Sequence, residues 1–70
     1  MDQSAEIIAN GTSYSISAGM ELSSFVSDRG LALDRVVVEY NGQAVTPAEA
    51  TSIRLQAGDR LEIVRIVAGG

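Results

Sequence analysis

The pair Asn10-Gly11 stands between two short strand-like runs, Glu6-Ile7-Ile8-Ala9 and Thr12-Ser13-Tyr14-Ser15-Ile16. Asn-Gly is the pair favoured in a two-residue type I′ turn, because both central residues of that turn need positive φ. The second run alternates polar and apolar residues, as a half-buried strand does. The chain is therefore expected to open with a β-hairpin, after residues 1–5 read as a loose polar lead-in. Such a hairpin has one apolar face, which something later in the chain has to cover.

Leu22, Phe25 and Val26 recur at i, i+3 and i+4 and supply that cover as one stripe of a short helix over about residues 20–29. Gly30 is placed as the C′ residue, and Arg29 suits the negative end of the helix dipole. The start is less marked, with Ser17 the nearest strong capping residue. Arg35-Val36-Val37-Val38-Glu39-Tyr40 is rich in β-branched residues and reads as a central strand bounded by Asn41-Gly42. Gln43-Ala44-Val45 resumes apolar character beyond that turn. Thr46-Pro47-Ala48-Glu49 has the capping-box spacing with Pro at the first helical position, which predicts one turn of helix. Ile53 and Leu55 precede the turn Ala57-Gly58-Asp59 and a last strand over 60–67. The expected fold is α+β, a mixed sheet with one main helix packed on one face.

In that last strand Leu61 and Ile63 share one face, while Val64 and Ile66 have the opposite parity. Either a bulge reorients the strand, or Val64, Ile66 and Val67 form an apolar docking patch on an otherwise bare face.

Seventy residues make one domain, 1–70, and a chain of that size buries only about 60% of the surface its unfolded form exposes. With 46% apolar residues it can build a core but has little room for an internal catalytic cleft, which favours a carrier or binding module over an enzyme. It has no histidine and no cysteine, so a zinc site, a His-assisted nucleophile and a disulfide framework are excluded. No metal ligand set is expected. Nine acidic residues against five arginines give a net charge of −4, which opposes nucleic acid and suits a basic protein surface. No apolar stretch approaches the length of a membrane span, so no membrane is expected and a cytoplasmic location is.

The chain ends Val67-Ala68-Gly69-Gly70. Without a Cβ, Gly69 and Gly70 can pass through a channel where a side chain would clash. Three residues beyond Val67 span roughly 10 Å when extended, enough to carry a terminal carboxylate into another protein's active site. Residues 66–70 are thus expected to form a flexible extended tail, with Ala68 and Val67 fixing it to a partner's rim.

Taken together, the Asn10-Gly11 hairpin, the Ala18-Gly19 step into a helix with Leu22 and Phe25-Val26, the Tyr40-Asn41-Gly42 turn, the Gly58-Asp59 turn and the Val67-Ala68-Gly69-Gly70 end resemble the ThiS family of sulfur carriers over nearly the whole chain. The resemblance implies a β-grasp, ubiquitin-like fold. It also implies that Gly70 is the attachment point for adenylate and then sulfur: an E1-like adenylating enzyme activates it, a persulfide donor loads it, and a thiazole synthase receives sulfur for the thiazole ring of thiamine. ATP and Mg²⁺ would belong to the adenylating enzyme, this chain binding no cofactor and performing no catalysis. The sequence departs from many family members in having Ala50 or its neighbours where a tryptophan is common, and Thr46-Pro47 where proline directly follows the strand's valine. The small subunit of molybdopterin synthase shares the Gly-Gly end but often carries prolines just before it, where this chain has Arg65-Ile66. A ubiquitin-like modifier conjugated to lysine through Gly70 is the further alternative.

Overall fold

The computed structural model describes residues 3–67. Strands β1 (Ser4–Ala9) and β2 (Thr12–Ser17) form the expected hairpin. Asn10 and Gly11 both have positive φ, 50° and 81°, as a type I′ turn requires. The lead-in is shorter than expected. Ser4 and Ala5 pair with Ser17 and Ile16, and Ala5 is buried, because pairing with β2 satisfies their backbone whatever their side chains.

Helix α1 (Leu22–Asp28) buries Leu22, Phe25 and Val26, the three residues of the stripe. Its first turn has no side-chain cap, and Ser17 does not serve as one. The Leu22 amide donates instead to the carbonyl of Ile53. Around it, Leu55 N donates to Met20 O and Gly19 N to Leu55 O, so the 53–55 segment clamps the start of the helix. At the other end Gly30, with φ 78°, closes a Schellman motif: Gly30 N donates to Ser27 O and Leu31 N to Val26 O. Arg29 is the C-cap rather than part of the last turn, and its guanidinium lies 5.0 Å from the Tyr14 ring centroid and 5.6 Å from that of Phe25. Contact with two aromatic faces, rather than the helix dipole alone, places it there.

A 3₁₀ turn, Leu33–Arg35, takes Arg35 out of the expected central strand, so that β3 runs Val36–Tyr40. Beyond Asn41-Gly42 comes β4 (Gln43–Val45), then the single helical turn α2 (Pro47–Ala50) with both halves of its capping box formed by Thr46 and Glu49. The last strand, β5 (Arg60–Arg65), stops short of the expected residue 67.

The sheet order is β2-β1-β5-β3-β4, with β5 parallel to β1 and antiparallel to β3. This is the β-grasp arrangement: the C-terminal strand is inserted between the two hairpins and α1 covers one face. Ile7, Leu22, Phe25, Val26, Leu55 and Leu61 form the centre of the core. Tyr14 and Phe25 meet edge to face with centroids 5.3 Å apart.

Both asparagines of the Asn-Gly turns do more than turn the chain. The Asn10 side chain accepts from Ile63 N (2.7 Å) and donates to Ile63 O (3.0 Å), standing in for a strand residue where β1 has already ended. On the other flank, Asn41 N donates to Arg60 O and Asn41 Oδ1 accepts from Arg60 N. The inserted strand is thus held on both flanks by side-chain amides, at Arg60 and at Ile63.

Asp59 ties the turn before β5 to β3, accepting from Tyr40 Oη (3.0 Å), Asn41 Nδ2 (3.2 Å) and Gln56 N (2.8 Å). Burial, the hydrogen bond to Asp59 and the Asp59 charge all favour the neutral phenol and raise the Tyr40 pKa above its usual value of 10.0. A raised folded-state pKa contributes stability that is present below the unfolded value and lost as pH rises through the folded one. Chemical denaturation across the alkaline range is expected to show the wild-type chain losing stability above about pH 10, where free tyrosine ionises, and Tyr40→Phe losing less. Parallel pH profiles for the two would remove Tyr40 from the account.

Candidate functional site: the open sheet face and the root of the tail

With α1 on one side, alternate residues of the central strands point to the uncovered side. Val37 lies directly opposite Val64, and Glu39 opposite Glu62, in an unbroken β3·β5 register. The unbroken register rules out a bulge over Leu61–Arg65 and puts Val64 on the open face. Val64 is 61% exposed, Ile66 55% and Val67 86%, and Val37, which the strand pattern did not single out, is 48% exposed. Three consecutive valines read only as a central strand. The signal that would have found Val37 is parity: in a sheet covered on one side only, Val36 and Val38 go in and Val37 goes out.

Toward the other end of the same face the apolar residues give way to Glu39 and Glu62. Like charges directly opposite each other oppose pairing, by some tenths of a kcal/mol. The face therefore has an apolar half next to the chain's exit and a charged half behind it, where Arg60 shares the parity of Glu62.

The exit itself is defined by one bond. The Ile66 amide donates to the carbonyl of Arg35 at 2.9 Å, and beyond it Val67 is nearly fully exposed. Ala68, Gly69 and Gly70, expected to form the reactive tail, lie outside the described residues. Among the described residues no three His, Cys, Asp or Glu side chains come together as a metal site, and no helix is long and apolar enough to cross a membrane.

Residues 4–70 match the ThiS family. The chain belongs to that family. The sulfur-carrier resemblance drawn from its turns and its Gly-Gly end is therefore correct at the level of the family. A thiazole synthase of Paramagnetospirillum magneticum is 29% identical over 65 residues, which are 93% of this chain but only 20% of that relative. The chain thus spans about one fifth of the length of the curated relative it matches. Among solved structures, a thiamine biosynthesis protein (ThiS) from Geobacter metallireducens superposes with a TM-score of 0.78 at 20% identity, covering 93% of this chain and 99% of that one. At that identity the likeness speaks for the shared ThiS fold.

Proposed function

We propose that this ThiS-family chain is a sulfur carrier for thiamine biosynthesis whose Gly70 carboxylate is adenylated by an E1-like partner and converted to a thiocarboxylate. The observation that carries the reading is the family match through residue 70, on a fold whose final strand leads directly to an exposed exit at Ile66 and Val67.

A free α-carboxylate has a pKa of about 3.3 to 3.7, so it is ionised at neutral pH and resists nucleophiles. Attack of a Gly70 oxygen on the α-phosphorus of ATP, with release of pyrophosphate, makes an acyl-adenylate with a good leaving group. A persulfide sulfur then attacks the carbonyl carbon and AMP departs, leaving an acyl disulfide. Reductive cleavage of its S–S bond frees the thiocarboxylate. With neither histidine nor cysteine in the chain, the partner supplies the general base, ATP site and Mg²⁺. The recipient in this reading is a thiazole synthase, and the likeness to the Paramagnetospirillum thiazole synthase supports it.

Gly69 keeps the approach slim and Ala68 and Val67 hold the tail to the partner's rim. Val64, Ile66 and Val67, joined by Val37, dock on the partner's apolar surface. Val64→Ser is expected to weaken binding to the adenylating enzyme about tenfold, about 1.4 kcal/mol, at an unchanged melting temperature. Unaltered affinity in a titration would take Val64 out of the interface.

Intact-mass spectrometry tests the function itself. After incubation with ATP, a persulfide donor, a reductant and the adenylating enzyme, the C-terminal peptide is expected to gain the mass difference of one oxygen exchanged for sulfur. Lysine-linked conjugates instead would make the chain a modifier. An unchanged mass with an active enzyme control would remove the carrier role.

A further inference from the structure

Two of the five arginines, Arg35 and Arg65, line one groove of about 330 Å³ at the root of the tail, with Leu31, Val36 and Ile66 as its apolar walls. Their proximity follows from the fold. Arg65 is the last residue of β5 and pairs in register with Val36, immediately after Arg35, and the Arg35 carbonyl holds the Ile66 amide. Two like charges thereby line the same groove in a chain whose net charge is −4.

Neither has an ion-pair partner among the described residues. Among the described residues the one ion pair is Arg54 with Glu21, at 3.7 Å. Asp34, next to Arg35 in sequence, does not pair with it, and Glu39 and Glu62 project from the open sheet face, whereas Arg65 has the parity of Leu61 and Ile63. Among the described residues Glu39 and Glu62, with Arg60, thus lie toward the sheet face, and two guanidinium groups without an ion-pair partner lie beside the exit.

We propose that this groove receives an acidic segment of the adenylating partner, one or two carboxylates flanked by apolar side chains. The inference rests on the carrier reading above and adds to it the sign of the contact. The overall acidity of the chain points to a basic partner surface, but at the tail's root the partner has to present the opposite charge. Guanidinium groups bind carboxylates in a fixed fork geometry, and Leu31, Val36 and Ile66 provide apolar contact beside it. Because Ile66 is both a wall of the groove and the first residue beyond β5, a segment seated there grips the root of the tail and sets its direction. Charge complementarity of this kind acts on orientation and association rate as well as on affinity.

The test is a titration of the full chain against its adenylating enzyme across a salt series, with the unaltered protein, the double variant Arg35→Gln/Arg65→Gln, and the same pair of substitutions in a chain lacking Gly69 and Gly70. Both arginines are exposed, so the fold is expected to persist, checked by an unchanged melting temperature. The double variant is expected to bind about fivefold to thirtyfold more weakly, from about 0.5–1 kcal/mol per exposed contact, with a shallower salt dependence. The same fold-loss is expected without the two glycines, since the groove acts independently of the tail's end. Equal affinity of unaltered and double-variant chains, while the unaltered one is still adenylated, overturns the groove and leaves the carrier reading standing. Failure of the unaltered chain to bind or to be adenylated removes both. A third arm titrates ATP into the chain alone. Saturable binding lost in the double variant would assign the groove to a phosphate and overturn the acidic segment.

Discussion

Asn10→Ala is expected to destabilise the chain by about 3 kcal/mol, measured by urea denaturation with an unchanged m-value. Two hydrogen bonds to Ile63 are lost, at 2.7 and 3.0 Å, and the amide and carbonyl of a residue in the inserted strand are left without partners. Each lost bond contributes about 0.5–1.5 kcal/mol, and an unsatisfied buried group costs about 1–3 kcal/mol. Alanine must also hold the φ of 50° that Asn10 adopts, a left-handed conformation costing about 1 kcal/mol in a residue with a Cβ that cannot hydrogen-bond locally. A 70-residue domain has roughly 4–10 kcal/mol of total stability, so the substitution removes a large part of it. Asn10→Gly separates the two causes, because it relieves the backbone strain and still loses both bonds. It should recover only about 1 kcal/mol. A loss below about 1 kcal/mol for Asn10→Ala would mean that water replaces the amide at Ile63.

Gly70→Phe is expected to abolish adenylation, by at least about 100-fold in ATP–pyrophosphate exchange, while the melting temperature stays unchanged. The carrier reading sends Gly70 through a channel shaped for a chain without side chains, and a misplacement of about 1 Å at a reacting centre is enough for a loss of that size. Among the described residues the last buried one is Ile63, seven positions before the substitution, so the fold is expected to persist. Normal exchange by the variant would refute the narrow channel. Loss of melting temperature together with exchange would instead place Gly70 among the packed residues.

Together the two substitutions separate the chain's two tasks. Asn10 acts on how firmly β5 is held between its neighbours, and Gly70 on what the chain beyond β5 can reach. The Val64→Ser and double-arginine variants lie between them, at the surface proposed to meet a partner. A chain this small can divide its functions so sharply because its core needs only one face of the sheet, one stripe of α1, and Ala50 and Leu55.

The order of elements was legible in the sequence because it depends on local chemistry. Asn-Gly pairs tolerate positive φ, Gly30 ends a helix, Thr46 and Glu49 cap one, and Leu22, Phe25 and Val26 repeat at helical spacing, each acting over a few residues. Membership of the ThiS family was legible for the same reason, as a sequence of such signals in order. What the tertiary structure decided are the features created by neighbours distant in sequence. Whether Val64 faces solvent depended on whether any element covers the second face of the sheet, and none of the described elements does. The double use of Asn10, 53 residues from Ile63, depends on β5 running past the end of β1. That Arg35 and Arg65 line one groove depends on β3 and β5 being antiparallel neighbours, which local propensity does not encode. Periodicity states which residues share a face of one element; only the packing of the elements states which faces are covered and which charges are left without partners.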